Sequence, residues 1–188
     1  MSETYPFQIP SGISLIPDIS GTSSLGSASK PFNKAYLGDV ILTLGAPASE
    51  IWVSGNAEAT VVSNTTSFFV ASGTYTQGLN NSHYFTTTAN PMRITFIHPE
   101  PINAVIVATS SLSVAGNNQV IQAGILLDGV IQAKSIQERN FPNTDVGPIP
   151  SSMLVQLVSG NYIQLGIRNT TATNNPTVSY RNSSILGL

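Results

Sequence analysis

The chain has no cysteine among its 188 residues, which excludes disulfides and thiolate metal sites. Charge is also scarce: Asp, Glu, Lys and Arg make up 9% of the sequence, against about 25% in an ordinary soluble domain. Seven basic residues oppose nine acidic ones, for a net charge of −2. The chain therefore lacks a basic stripe to neutralise phosphates, and we expect no nucleic-acid partner.

The first residues lack the pattern of an export signal or a membrane span. Residues 1–19 contain Glu3, Asp18 and several prolines, without a basic start or an unbroken apolar stretch, so we expect neither signal peptide nor membrane partner. A polar surface with few charges costs less to desolvate, and weak self-repulsion lets copies approach one another. These properties favour permanent assembly, with a stable extracellular monomer as the alternative.

No window sustains helical periodicity with start and stop signals, so the sequence predicts an all-β fold. From about residue 49, short β-branched or aromatic runs are bounded by Gly, Asn and Pro, which is typical of strands. Their number and spacing predict a sandwich, barrel or jelly roll. The runs are residues 51–53, 67–70, 83–87, 92–97, 104–108, 112–114, 120–127, 130–136, 153–158, 162–167 and 177–186.

Residues 1–48 have a different texture, with prolines and Ser/Gly clusters that cannot build a core alone. Apolar residues are nevertheless too frequent there for a passive linker. We interpret the segment as an extended N-terminal arm that packs on another structure. A terminus folded back on its own domain is the alternative.

Two tight turns are predicted within the β-region. Asp128-Gly129 joins two apolar runs, and this pair favours a type I′ turn because both positions require positive φ. Residues 159–161 are predicted to join strands 153–158 and 162–168 as a second hairpin. In the latter strand, apolar residues alternate with Tyr162, Gln164 and Gly166. One face therefore enters the core, and the other suits solvent or a neighbouring subunit.

Catalytic and metal-binding motifs are absent from the sequence. His83 and His98 have no partner at metal-ligand spacing, although distant residues converge in some folds. Phosphate-binding loops and a nucleophile elbow are missing, and the acids are scattered. We expect no enzyme and no cofactor. The alternative is an enzyme acting on polysaccharide through a carboxylate such as Asp128 or Glu100.

A sugar-binding surface is a further alternative. Aromatic rings stack on sugar faces while neighbouring amides bond the hydroxyls. Trp52 and Tyr75 are the candidate glycan-binding residues, with Tyr84 and Tyr180 as further aromatic positions. Core or interface packing is the more common fate of such side chains.

Residues 25–38, which read LGSASKPFNKAYLG, resemble the "LGS…W…(I/V)Y(L/V)" segment of many phage fibre and virion appendage proteins. In that family the segment forms short β-elements wound around a trimer axis. Phe32 stands where tryptophan is usual. The resemblance implies that Leu25, Phe32, Tyr36 and Leu37 anchor the arm to a capsid.

Residues 121–188 resemble the back half of the TNF/C1q-type jelly roll, which phage head and tail proteins use as a trimeric knob. The resemblance is carried by the hairpin around Asp128, by the run VQLVSGNYIQLGIRN at residues 155–169, and by an apolar closing strand. Asn161 replaces the usual Asp. An antiparallel jelly-roll β-sandwich is implied over residues 49–188, with Tyr162, Gln164 and Gly166 at the trimer interface.

Together these features predict a homotrimeric virion surface protein that is assembled in the host cytoplasm. The arm would bind the major capsid protein or another structural component, and the knob would face outward as a capsid decoration, cement or head-fibre protein. The alternative function is a tail-fibre tip that binds a host receptor or surface glycan.

Overall fold

The computed structural model describes residues 46–89, 91–143 and 145–188. Nearly all regular structure there is strand, and no helix is long and apolar enough to cross a membrane. The strands are Ala48–Ser54 (β1), Phe69–Val70 (β2), Thr76–Asn80 (β3), Phe85–Thr88 (β4), Arg93–Phe96 (β5), Ile102–Val114 (β6), Gln119–Leu127 (β7), Val130–Ile131 (β8), Gln137–Phe141 (β9), Val146–Leu157 (β10), Tyr162–Asn169 (β11) and Pro176–Gly187 (β12), with a 3₁₀ turn at Ala133–Ser135.

The strands form two antiparallel sheets. The five-stranded sheet has the order β10-β6-β12-β1-β3, and the seven-stranded sheet has the order β4-β5-β11-β7-β8, with β2 also paired to β11 and β9 to β7. From β9 onward, successive strands alternate between the two sheets. This alternation between two antiparallel sheets is that of a jelly roll. The predicted antiparallel jelly-roll β-sandwich is therefore confirmed, while the predicted arm lies mostly outside the described residues.

The core lies between the sheets and is made of alternate residues along each strand. Ile51, Ile106 and Ile185 point inward from the five-stranded sheet, and Ile94 and Leu165 point inward from the seven-stranded sheet. Because side chains alternate between faces with a period of two, the intervening residues point outward. The core-facing alternation predicted for residues 163–167 is confirmed.

The longest strand, β6, covers two runs that the sequence predicts as separate strands, residues 104–108 and 112–114. Residues 109–111 between those runs are Thr-Ser-Ser, which resembles a loop in the sequence. They continue the strand because the alternation of faces is kept, and the buried hydroxyl of Ser110 donates a hydrogen bond to the carbonyl of Ile149 (3.1 Å). A polar side chain that is satisfied in this way is compatible with a core position.

Strand β10 begins seven residues before the predicted run and contains Pro148 and Pro150. It is an edge strand paired only with β6, and prolines are tolerated at edges because no second neighbour needs their missing N–H. Residues 130–136 were predicted as one strand, which is wrong. Only Val130–Ile131 is strand, and a 3₁₀ turn follows.

The Asp128-Gly129 turn is confirmed, with φ of 52° and 77° at the two residues. The second predicted hairpin is wrong. Residues 158–161 do form a tight turn, closed by the Asn161 N–H on the Val158 carbonyl (3.0 Å), but β10 and β11 belong to different sheets. A turn signal in sequence specifies a chain reversal and not which strands pair.

The two turns are hydrogen-bonded to each other. The Asp128 carboxylate accepts the Asn161 amide (2.7 Å) and the Tyr162 N–H (2.8 Å), while the Asn161 side-chain oxygen accepts the Val158 N–H (2.8 Å). An aspartate at position 161 would place a second carboxylate against Asp128. The neighbouring charge therefore gives a physical reason for Asn161 where the TNF/C1q pattern has Asp.

Asn161→Asp is expected to lower stability by about 1 kcal/mol, because a hydrogen bond to a charged group is replaced by repulsion at an exposed site. The double variant Asp128→Asn/Asn161→Asp exchanges the two partners and should recover most of the loss. Thermal unfolding of the single and double variants measures both effects. Equal destabilisation in the two variants would contradict the proposed pairing.

Candidate functional site

The outward side of the five-stranded sheet carries side chains in cross-strand rows, and we call this surface the outward face. Every side chain in these rows is exposed or half-buried. Read across β1, β12, β6 and β10, the rows are Ala48, Leu186, Val105 and Leu154; Glu50, Ser184, Val107 and Ser152; Trp52, Asn182, Thr109 and Pro150; and Ser54, Tyr180, Ser111 and Pro148.

Among these rows, Glu50 is the only charged side chain. Its carboxylate accepts a hydrogen bond from the Asn182 amide, so part of its polarity is already satisfied within the sheet. Leu186, Val107 and Leu154 are large exposed apolar side chains. The depletion of charge around exposed apolar and aromatic groups is the compositional mark of an interface core.

A shallow depression of about 400 Å³ lies on the outward face beside its two aromatic side chains. Trp52 is 39% exposed and Tyr180 is 54% exposed. Residues with small polar side chains complete much of the wall: Ser54, Thr109, Ser111 and Asn182. Aromatic rings beside hydroxyl and amide groups are the chemistry that recognises sugars.

Arg181, which also contributes to the wall of this depression, is buried in the core. Its Nε donates to the Ser183 hydroxyl (2.6 Å), and its guanidinium carbon lies 5.6 Å from the Tyr75 ring centroid. Nη1 is buried without a hydrogen-bond acceptor in the described part of the chain. Burial lowers the pKa of Arg181 well below the ordinary value of an arginine, to about 10, an effect that Tyr75 partly offsets.

The predicted trimer-interface positions lie on the other sheet, in β11. Gln164 is 4% exposed, and Tyr162 is half-buried with the Arg93 guanidinium 3.9 Å from its ring centroid. A Cβ at Gly166 would stand 3.0 Å from the Leu126 side chain. These positions are largely covered by their own chain and offer little area to another subunit. Their role in a trimer stays a prediction.

The glycan-binding candidates separate in the structure. Trp52 lies on the outward face, whereas Tyr75 is 3% exposed and packs in the core. The expectation that Tyr75 is exposed is wrong, since its side chain points into the core while the flanking Thr74 and Thr76 are exposed. The capsid-anchoring candidates Leu25, Phe32, Tyr36 and Leu37 lie outside the described residues.

The outward face is not recognisable as a unit in the amino-acid sequence. Its members come from four separate segments, and only strand register brings them into rows. The sequence feature that indicates such a surface is the alternation of Ser, Thr and Asn with apolar residues in a chain of very low charge. Within the described ranges, no three or more His, Cys, Asp or Glu side chains group as metal ligands.

The fold places the described residues among two-sheet jelly rolls. No family model matches the sequence, and no curated protein matches it. Among solved structures, the chain is similar to Eiger TNF from S. frugiperda, with a TM-score of 0.46 and 11% identity over 76% of this chain and 92% of that one. The order and antiparallel pairing of the strands in the two sheets define the jelly roll.

Arg181→Met is expected to stabilise the protein by about 1–3 kcal/mol at neutral pH, because it removes a buried charge that has no acidic partner. The folded-state pKa of this base is depressed, so the penalty is fully present below about pH 10. The penalty fades as the pH rises above this folded-state pKa toward the higher, ordinary pKa of an arginine in the unfolded chain. Thermal unfolding of wild type and variant at neutral pH and at about pH 11 measures the difference.

Arg139→Met is the matched control, because Arg139 pairs with Asp145 (2.9 Å) at the partly exposed surface. It should change stability by less than about 1 kcal/mol. A destabilised Arg181→Met protein, or an advantage that grows at high pH, would contradict the assignment of a desolvation penalty.

Proposed function

We propose that this chain is a non-enzymatic structural protein that assembles with copies of itself through the outward face, as a homotrimer on a virion surface. The observation that carries the proposal is the near absence of charge from a broad, exposed sheet face. Burying that face would desolvate one carboxylate, Glu50, which already has a partner in Asn182. The remaining polar groups are hydroxyls and amides, which bond readily across an interface.

The row of Ala48, Leu186, Val105 and Leu154 supplies the apolar contact. Each large apolar side chain that becomes fully buried contributes about 1.5–3 kcal/mol. The β10 edge of the sheet is less suited to assembly, since Pro148 and Pro150 leave its hydrogen-bonding pattern incomplete, and the opposite edge strand, β3, is only five residues long. We therefore place the contact on the face of the sheet.

The virion assignment rests on the resemblance of residues 25–38 to segments of phage appendage proteins. In this proposal the arm, residues 1–48, binds the major capsid protein or another structural component. The jelly roll then faces outward as a decoration, cement or head-fibre module. Three arms on one trimer would bind more strongly than one, because the second and third contacts become intramolecular.

A second candidate function is glycan binding at the depression between Trp52 and Tyr180. It is favoured by the two exposed rings and by the hydroxyl and amide groups around them. Both proposals use the same surface, so a trimer that buries the depression would exclude the sugar. This competition allows one experiment to separate them.

Val107→Lys is expected to dissociate the oligomer, because it places a charge in the middle of the outward face. Val130→Lys is the matched control: Val130 is 64% exposed, against 45% for Val107, but lies on the seven-stranded sheet. Light scattering after size exclusion gives the mass of each protein. Monomeric wild type, or a Val107→Lys protein that stays trimeric, would contradict assembly through this face.

Trp52 is the only tryptophan in the sequence, so its fluorescence reports on the outward face. Assembly should shift its emission to shorter wavelength, and Val107→Lys should reverse the shift, because the indole returns to water. Glycan binding predicts instead a change in emission when host surface sugars are added to wild-type protein. That response should be lost in Tyr180→Ala, with oligomeric mass unchanged.

A further inference from the structure

The structure brings together the two histidines of the chain, His83 and His98, which are fifteen residues apart. In the β4–β5 ladder, Phe85 pairs with Phe96, and the Ile97 N–H donates to the Tyr84 carbonyl (2.8 Å) just beyond it. Continuing this register sets His83 opposite His98. Their ring centroids are 4.9 Å apart.

Neighbouring groups contact both residues, and they fix the ring of His98 more firmly than that of His83. The Tyr84 ring centroid lies 5.0 Å from that of His83 and 4.8 Å from that of His98. The backbone N–H of His83 donates to the Asn81 side-chain oxygen (3.1 Å). His98 Nδ1 lies 3.3 Å from the carbonyl oxygen of Glu100 and 3.2 Å from its backbone nitrogen. The two histidines therefore lie at the open end of the β4–β5 hairpin, opposite its turn.

The contact with Glu100 bears on the chemistry of His98. When Nδ1 carries the proton, it donates to the Glu100 carbonyl and leaves Nε2 with a free lone pair. A ring N–H donated to a backbone carbonyl is the usual support of a metal-ligating histidine. When the proton is instead on Nε2, Nδ1 accepts the Glu100 N–H. The same backbone accommodates both tautomers, so metal binding can select the first.

The ring separation also fits shared coordination. A zinc ion about 2.0–2.1 Å from a ring nitrogen lies about 3.2 Å from the ring centroid, so two rings at a tetrahedral angle have centroids about 5.2 Å apart. The observed 4.9 Å differs from this by a few tenths of an ångström. His83 is exposed and can adjust its ring without disturbing the core.

We propose that His83 and His98 form a two-histidine site for a divalent transition-metal ion such as Zn²⁺, Ni²⁺ or Cu²⁺. Imidazole nitrogen suits these ions, whereas Mg²⁺ and Ca²⁺ require oxygen ligands. Two protein ligands leave further coordination positions for water. The proposal is independent of the assembly face, because the pair belongs to the seven-stranded sheet.

Isothermal titration calorimetry of the tag-free, full-length protein tests the site, with Zn²⁺ and Ni²⁺ as probes and Mg²⁺ as the negative probe. We expect one transition-metal ion per chain and no heat from Mg²⁺. His83→Ala and His98→Ala should each weaken binding at least about tenfold, since even the loss of a supporting partner of a ligand costs about 10–100-fold. The chain has no other histidine and no cysteine, so the result is not confounded by other imidazole or thiolate ligands.

Glu138→Ala is the matched control, because Glu138 lies on β9 toward the other side of the seven-stranded sheet from β4. It should leave metal binding unchanged. Thermal unfolding without metal checks that each histidine variant is folded. Absence of binding by wild type, or binding insensitive to both histidine substitutions, would overturn the proposal. So would two ions per chain with each substitution halving the stoichiometry at unchanged affinity, because the histidines would then bind independently.

Discussion

The burial of alternate side chains between two sheets is the interaction on which the rest of this structure depends. The chain has no cysteine to form a disulfide, and the ion pair between Arg139 and Asp145 is partly exposed and contributes little. Stability must therefore come from the apolar layer between the sheets and from the backbone ladders that surround it. Arg181 departs from this rule by placing a guanidinium within that layer.

The outward face follows from the same alternation. Once Ile51, Ile106 and Ile185 point inward, Trp52, Val107 and Leu186 must point outward, because successive side chains on a strand face opposite ways. The low charge of the chain then determines the character of that surface. A sequence with ordinary charge would have placed Lys and Glu at these positions and kept copies apart.

Much of the fold was predictable from local pattern, and the failures have physical causes. The Asp128-Gly129 turn and the core alternation of residues 163–167 depend on neighbouring residues, so both predictions are confirmed. The turn at residues 158–161 looks like a hairpin but connects two sheets, because pairing is decided by distant strands. The first part of β10 is not predicted as strand because it contains Pro148 and Pro150. Prolines are tolerated in a strand that lies at a sheet edge, and only the fold shows that β10 does.

The all-β class, the two tight turns, the absence of thiol chemistry and the low surface charge follow from the amino-acid sequence, since these depend on composition and on short-range periodicity. Four other features follow from the three-dimensional fold: which surface is broad and nearly free of charge, the burial of Tyr75, the covering of Gln164, and the contact between His83 and His98. Each of these depends on strand register or on the packing of segments far apart in sequence, and a register shift of one residue would reverse every face.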